Sequence, residues 1–422
     1  MSTDGFIKIN PESAGPAIDN AVFMRDGKKI YRQRVEMYPS AMISLDAGGR
    51  SRVSQITTLF DGKTLRQEDV DLWDTKGTGT RTFEDGSINK LDVAAGQYLV
   101  RQSKQYMPYF SGKSQIIELT FDTFGLEIGI IKRYGYFSSN AVAPYASNLD
   151  GWYIESNGDT EQFYLVVVNN GTEKLRLDWT QWSNYEAIAS LDWDNFNVSL
   201  IDFLWLGGAI LRAFQKMPTG GFPEAHVYDY AGSAPGVFMR SPNQPVRYEI
   251  RSTGGTGTFR AICSVVGTEG SLNNQSKPLV LRHDTLILAN SVGTIYAVKG
   301  VKKRADFRDI PVEINQFGGS MTATADAGVW LLLLNPTLSA PLTYIQKSAV
   351  DEATATNQTV TNVGREIGII HVNQAGVSIP FADNQLAWMG INIDNTPDEY
   401  VLAYQPLTLN QSINGAMTLQ VF

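Results

Sequence analysis

The chain has 422 residues with 35 Lys and Arg against 43 Asp and Glu, a formal net charge of −8, and only 18% charged residues. This acidic balance excludes broad electrostatic binding to nucleic acid or anionic lipid, because attraction to phosphates requires clustered Lys and Arg. An aromatic content of 11% together with 38 glycines favours strands and turns, so the sequence predicts an all-β protein.

The N-terminal segment, residues 1–42, contains several prolines and no sustained periodicity, and we expect an extended arm. Such an arm is ordered in an assembly by lying on a neighbouring subunit, at an entropic cost of ~1–2 kcal/mol per residue. Its first residues have neither a basic region nor an apolar core, so we expect no secretory signal and synthesis in a reducing cytoplasm.

Residues 43–275 contain recurring segments rich in β-branched and aromatic side chains, and we predict that they form one β-sandwich. The strand candidates are 47–60, 97–103, 115–121, 127–137, 161–182 and 246–266. Within 115–121, apolar residues alternate with more polar ones, which predicts one packed and one partly wet face. The dipeptide Asn170-Gly171 predicts a type I′ hairpin turn, because both residue types accept positive φ angles.

The most apolar run in the first two-thirds of the chain, residues 197–214, predicts a hairpin whose first strand is an inner strand. Gly207-Gly208 supplies the predicted turn. A membrane-spanning helix is the alternative, but a span needs roughly 20 apolar residues. This run is interrupted by Asp202, two glycines and Arg212, so we expect strands and no membrane contact.

Residues 279–422 are predicted to form a second, smaller β-sandwich-like unit. Its strand candidates are 285–288, 294–298, 329–334, 366–371, 386–393 and 400–407. Asn414-Gly415 predicts a further hairpin turn before a final strand at 417–422. The sequence has no repeat of fixed period and no heptad run, which argues against propellers, solenoids and coiled coils.

No motif in the sequence predicts a metal or cofactor site. His226, His283 and His371 are too far apart to show a metal-ligand spacing. The glycine-rich segments 76–80 and 254–257 lack the Gly-Lys-Ser/Thr ending of a phosphate loop, so we interpret both as turns.

The single cysteine, Cys263, excludes an internal disulfide. It lies in an apolar strand-like run, where a small buried hydrophobe is the ordinary interpretation. No adjacent charge or histidine would lower its pKa, so a catalytic thiol is not expected.

The charged segments have two interpretations each. Residues 68–74 carry Glu68, Asp69, Asp71 and Asp74 but lack the glycine and terminal glutamate of a calcium loop, which favours a solvated face over a cation site. The basic cluster Lys302-Lys303-Arg304 with Arg308 would suit a phosphate or an acidic neighbour, but a solvent-exposed loop is favoured.

Asp192 and Asp194 flank Trp193 in a predicted strand, where both carboxylates would point to one face. Paired carboxylates beside an aromatic ring suit glycoside chemistry, in which retaining hydrolysis requires a separation of about 5 Å. No further residue supports this hypothesis.

Four segments of the chain stand out in this order: Arg133-Tyr-Gly-Tyr-Phe137, Gly151-Trp-Tyr-Ile-Glu155, Ile201-Asp-Phe-Leu-Trp-Leu-Gly207 and Ser241-Pro-Asn-Gln-Pro-Val-Arg-Tyr-Glu-Ile250. Together they resemble a family of virion structural proteins of tailed bacteriophages. The resemblance covers residues 115–270 and implies a non-enzymatic component of the virion, such as a capsid decoration, head fibre or tail protein. It further implies contacts with other virion proteins and a homo-oligomer, with a trimer favoured, since closed symmetry covers exposed sheet edges.

The order of these segments also resembles concanavalin A-like jelly rolls. The implied fold is an all-β jelly-roll sandwich followed by a second, smaller sandwich, a class that includes both lectins and hydrolases. The Glu-X-Asp arrays of the hydrolases are absent, so no enzymatic activity and no catalytic residue is predicted. The alternative function is a glycan-binding module for host attachment, with Trp152, Trp182 or Tyr185 stacking on sugar rings, although such aromatics more commonly lie in the core.

Overall fold

The computed structural model describes residues 20–25, 28–33, 46–47, 55–206, 210–218, 220–233, 235–270, 276–321, 327–372 and 387–422. These residues form 30 strands, numbered β1–β30 in chain order, with antiparallel pairing. They contain no α-helix, and none of their helical turns is long or apolar enough to cross a membrane. The short 3-10 helices are Trp179–Gln181, Tyr185–Ala187 and Ala305–Phe307. The all-β prediction is confirmed.

Two large sheets dominate the first part of the chain. The seven-stranded sheet contains, from edge to edge, β12 (Thr172–Asp178), β11 (Gln162–Asn169), β10 (Asp150–Asn157), β9 (Ile130–Ser138), β16 (Val246–Ser252), β7 (Tyr98–Ser103) and β4 (Trp73–Gly77). The eight-stranded sheet contains β15 (Glu224–Asp229), β14 (Ile210–Gln215), β13 (Asn197–Leu204), β8 (Gln115–Asp122), β17 (Gly257–Glu269), β6 (Ile88–Val93) and β5 (Thr80–Glu84), with β3 (Ile56–Asp61) also paired to β17.

The two sheets pack face to face on a core rich in aromatic rings. The ring centroid of Tyr134 on β9 lies 4.1 Å from that of Phe121 on β8. The Tyr134 hydroxyl forms a 2.7 Å hydrogen bond with Ser199 Oγ on β13. Aromatic pairs of this kind add roughly 0.5–1.5 kcal/mol beyond the burial of their surface. The two packed antiparallel sheets therefore confirm the predicted β-sandwich for this part of the chain.

Both hairpins predicted for the sandwich are confirmed. β13 and β14 pair from Ser199↔Gln215 to Leu204↔Ile210, and β13 lies between β14 and β8 as an inner strand. Their predicted Gly207-Gly208 turn lies outside the described residues. Asn170 and Gly171 connect β11 to β12 with φ angles of 43° and 86°, as a type I′ turn requires.

Two further sheets form the second part of the chain. One contains β18 (Lys277–Arg282), β30 (Gln411–Val421), β21 (Val312–Met321) and β28 (Ala387–Trp388), with β19 (Ile287–Ala289) paired to β30. The other contains β24 (Tyr344–Lys347), β25 (Val350–Thr354), β20 (Tyr296–Lys303), β29 (Glu399–Pro406), β22 (Gly328–Leu334) and β27 (Arg365–Val372). A small pair is formed by β23 (Thr337–Leu338) and β26 (Val360–Asn362). These strands enclose a separate hydrophobic core around Trp330 and Tyr404.

The hairpin turn predicted at Asn414-Gly415 is wrong. Both residues lie inside β30, paired with Ser320 and Gly319 of β21. The reason is the large ring of Trp330 beneath them, because a Cβ atom on Gly415 would lie 3.0 Å from that ring and one on Gly319 would overlap it. Glycine is required at these positions because it leaves room for the Trp330 ring, and not because it permits a turn.

The two sandwiches contact each other through polar and aromatic groups. Lys76 Nζ lies 2.7 Å from Asp394 Oδ2, and the rings of Phe110 and Phe422 meet edge to face with centroids 6.1 Å apart. Phe422, which follows the last strand of the second sandwich, therefore packs against the first sandwich.

A separate hairpin precedes both sandwiches. β1 (Asn20–Arg25) and β2 (Lys28–Gln33) pair with each other and with no other described strand. This hairpin replaces part of the extended arm predicted at 1–42, and the rest of that segment lies outside the described residues.

Candidate functional site

A surface groove lies beside the outer edge of the eight-stranded sheet. It has a volume of about 630 Å³, within the range of roughly 300–1,000 Å³ common for ligand sites. We call it the Tyr185 groove, and its lining residues are Thr180, Trp182, Ser183, Asn184, Tyr185, Glu186, Ala187, Pro223 and Glu224.

The walls of the Tyr185 groove are fixed by local hydrogen bonds. Asp178 caps the 3-10 helix Trp179–Gln181 by accepting a 2.8 Å hydrogen bond from the Thr180 backbone N–H. Asn184 Nδ2 donates to the carbonyl oxygen of Glu224 at 2.9 Å, which ties this segment to β15. The groove is therefore held by two distant parts of the sequence.

Aromatic rings form one side of the groove. Tyr185 is half-buried and meets Trp179 edge to face, with ring centroids 5.1 Å apart. Trp182 is only 3% exposed, and its indole Nε1 donates to the carbonyl oxygen of Leu177 at 3.4 Å. Trp152 lies in the core with no exposed surface, so its predicted use as a sugar platform is wrong. Of the three predicted aromatics, the groove unites Trp182 and Tyr185.

A neutral histidine holds Ser183, one of the residues that line the groove. His226 Nδ1 accepts a hydrogen bond from the Ser183 backbone N–H at 3.1 Å and contacts Ser183 Oγ at 2.9 Å. Because a backbone N–H can only donate, Nδ1 carries no proton in this arrangement. Burial also lowers the pKa of His226 below its usual value of 6.5, which favours the neutral form.

The carboxylate pair predicted around Trp193 has a different role. Asp192 and Asp194 lie in the loop before β13, not in a strand. Asp192 accepts hydrogen bonds from the Asp194 backbone N–H and Asn195 Nδ2, and Asp194 accepts one of 2.9 Å from the Gly125 N–H. These bonds organise the loop, and Trp193 itself is buried at 4% exposure.

A second set of carboxylates lies on the outer face of the seven-stranded sheet. Glu155 and Glu249 are buried on either side of Arg133, with oxygen to nitrogen distances of 2.7 Å in both pairs. Arg247 also bonds Glu249, and we call these four residues the charged belt. Burial alone would raise the pKa of Glu155 and Glu249, but the neighbouring arginine charges outweigh it and hold both pKa values below the usual range. Both groups stay ionised at neutral pH and have no proton to donate as a general acid.

Two residues of the acidic run at 68–74 contact the second sandwich. Asp71 pairs with Arg365, and Asp74 accepts a 2.8 Å hydrogen bond from the Ile393 backbone N–H. Burial raises the pKa of Asp74. The prediction of a solvated face is therefore wrong for Asp71 and Asp74, which belong to the contact between the two sandwiches, and Glu68 pairs with Arg81 and Arg101 within the first sandwich.

The basic cluster at 302–304 also differs from its prediction. Lys303 lies on β20 and is 1% exposed, with its ammonium above the Tyr106 ring and bonded to the carbonyl oxygen of Arg308. Arg308 in turn donates to the carbonyl oxygen of Ser139 in the first sandwich. The prediction of a solvent-exposed loop is wrong for Lys303, because these residues connect the two sandwiches.

The two glycine-rich segments and the single cysteine lie in ordinary structural positions. The glycine segments 76–80 and 254–257 connect β4 to β5 and β16 to β17, as predicted. Cys263 is half-buried on β17, and burial raises the pKa of its thiol. Within the part of the chain that the structure describes, no three His, Cys, Asp or Glu side chains are grouped to hold a metal ion.

No protein-family model and no curated protein matches this sequence. Among solved structures, the chain is similar to the Emp47p carbohydrate recognition domain, with 11% identity over 52% of this chain and 100% of that chain and a TM-score of 0.34. It is also similar to arcelin-5, a lectin-like defense protein from Phaseolus vulgaris (8% identity, 51% and 100% covered, TM-score 0.33). A third similar structure is a legume lectin-like domain from Entamoeba histolytica (12% identity, 50% and 98% covered, TM-score 0.33). At these identities and scores the similarity assigns no function.

Proposed function

We propose that this protein is a non-enzymatic glycan-binding protein and that the Tyr185 groove holds the sugar. The observation that carries the proposal is the half-buried ring of Tyr185 beside the polar side chains of Asn184, Glu186 and Glu224 in one groove. Sugar rings present C–H groups on their faces and hydroxyl groups at their edges. A groove with an aromatic side and polar walls complements both features.

The test is binding to a printed array of oligosaccharides, followed by tryptophan fluorescence titration with the tightest member. Trp179 and Trp182 lie against the groove and report its occupation. We expect Tyr185→Ala to weaken binding about tenfold, because a lost ring contact removes roughly 0.5–1.5 kcal/mol in addition to its buried area.

The matched control is Phe196→Ala, which removes a ring that is 63% exposed and does not line the groove. This variant should bind like the wild type. An array without any bound glycan, from a protein with an intact fold, would contradict the proposal, as would equal affinities of Tyr185→Ala and wild type.

A second proposal is a structural role in a bacteriophage virion, with the protein made in the host cytoplasm and assembled, as a trimer, with other virion proteins. The observation in its favour is the β1–β2 hairpin, which pairs with no other described strand. A two-stranded hairpin by itself is marginally stable in water, and pairing with a strand of a neighbouring subunit would stabilise it.

Light scattering at several concentrations tests this second proposal. The full chain should keep an oligomeric mass on dilution, and a variant without residues 1–40 should dissociate while its circular dichroism still shows folded sandwiches. A monomeric full chain at all concentrations, or a truncated chain that keeps the oligomeric mass, would refute self-assembly through this segment.

A further inference from the structure

The polar walls of the Tyr185 groove present mainly hydrogen-bond acceptors. Arg212 occupies only one oxygen of Glu224, with Nε and Nη2 at 2.8 and 2.7 Å from Oε2. Oε1 of the same carboxylate is left for another donor. Glu186 is exposed at the rim of the groove and adds a second carboxylate.

The amide of Asn184 adds a further acceptor. Its Nδ2 donates to the carbonyl oxygen of Glu224. A carbonyl oxygen can only accept, so the orientation of the amide is fixed, and Oδ1 and the second N–H of Nδ2 remain for a ligand.

The Thr180 and Ser183 hydroxyls of the groove are already used by the protein, and the Tyr185 hydroxyl is the other hydroxyl donor of the lining. Thr180 Oγ1 donates to Asp178 Oδ1 at 2.7 Å, and Ser183 Oγ contacts His226 Nδ1 at 2.9 Å. The lining residues include no lysine or arginine. The groove therefore has acceptors and negative charge available but no cationic side chain to balance an anionic ligand.

We infer that the Tyr185 groove selects neutral and amino-bearing sugars and rejects uronic and sialic acids. The inference rests on the proposed glycan-binding function and adds the chemical class of the ligand. Sugar hydroxyls and ammonium groups donate hydrogen bonds to the acceptors of Glu224, Asn184 and Glu186, whereas a sugar carboxylate meets the exposed charge of Glu186 and no cationic side chain among the lining residues.

The test compares four classes on one glycan array: neutral hexoses, N-acetylhexosamines, free hexosamines, and uronic or sialic acids. The first three classes should contain the bound members, and the acidic class should bind at least about tenfold more weakly. Preferential binding of the acidic class would overturn the inference while the glycan-binding function stands. An array without any bound member would instead refute the function and the inference together.

A charge variant makes the test specific to this groove. Glu186→Gln should bind the acidic class about two- to fivefold more strongly than wild type and the free hexosamines more weakly by a similar factor, as expected for one exposed charge. The matched control is Glu161→Gln, an exposed carboxylate that does not line the groove, and it should leave the class preference unchanged. Identical class preferences in Glu186→Gln and wild type would contradict the assigned role of this residue.

Discussion

The charged belt and the Tyr185 groove are both polar clusters on the first sandwich, but they differ in how completely their charges are paired. In the belt, Glu249 is fully buried and receives hydrogen bonds from Arg133, Arg247 and Arg251. In the groove, Glu224 has one arginine partner and Glu186 is exposed. A dense cluster of charges is therefore no sign of a binding site when its members satisfy one another, and the sparser groove is the better candidate.

The largest expected effect comes from breaking the belt. Glu249→Gln leaves buried arginine charges without their carboxylate, and we expect the free energy of unfolding to fall by about 3–5 kcal/mol. Urea denaturation measures this loss. Glu186→Gln in the groove is the matched control and should change stability by less than about 0.5 kcal/mol. Equal effects of the two substitutions would remove the distinction between belt and groove.

Lys303 extends the comparison between the belt and the groove to a third kind of charged site. It is buried like the belt residues, but it is bonded to a backbone carbonyl rather than to a carboxylate. Burial lowers the pKa of Lys303 to about 7 from its usual value of 10.5. The unfolded chain therefore binds more protons between these values, and the stability of the wild type should rise as the pH increases from about 7 to 10.5.

Lys303→Met should remove this contribution and raise stability at pH 7 by on the order of 4 kcal/mol, since each pKa unit corresponds to about 1.4 kcal/mol. The measurement is the difference in unfolding free energy between wild type and variant at pH 7 and pH 10. A difference that does not shrink at pH 10 would show that Lys303 is charged in the folded protein throughout.

The smallest expected effect concerns the groove itself. Because burial lowers the pKa of His226 in the folded protein, its hydrogen bond from the Ser183 N–H is present above that lowered pKa and is lost as the pH falls through it. We expect glycan affinity to decline several-fold, by about 1 kcal/mol, as the pH falls through the lowered pKa of His226. His226→Gln keeps an acceptor for the Ser183 N–H without titrating, so its affinity should depend less on pH. An unchanged pH profile in this variant would exclude His226 as the cause.

The candidate site could be predicted from the sequence only in part. Trp182 and Tyr185 were recognisable as aromatics near a polar segment, but the same pattern surrounds Trp152, which lies in the core. Glu224 completes the groove from about forty residues further along the chain, through the hydrogen bond between Asn184 and its carbonyl oxygen. No local spacing indicates such a contact, since it depends on how β15 pairs at the edge of its sheet.

The sequence by itself determined the all-β class, the β13–β14 pairing and the turn at Asn170-Gly171, because these follow from residue alternation and from backbone preferences over a few residues. The same dipeptide at Asn414-Gly415 lies in the middle of a strand, since the ring of Trp330 requires a position without a side chain there. Only the tertiary structure decided which charges are paired and which aromatics are buried. Charge pairing and burial depend on residues that are distant in the chain but adjacent in the fold. They distinguish the charged belt, whose charges are paired, from the Tyr185 groove, where Glu186 is exposed.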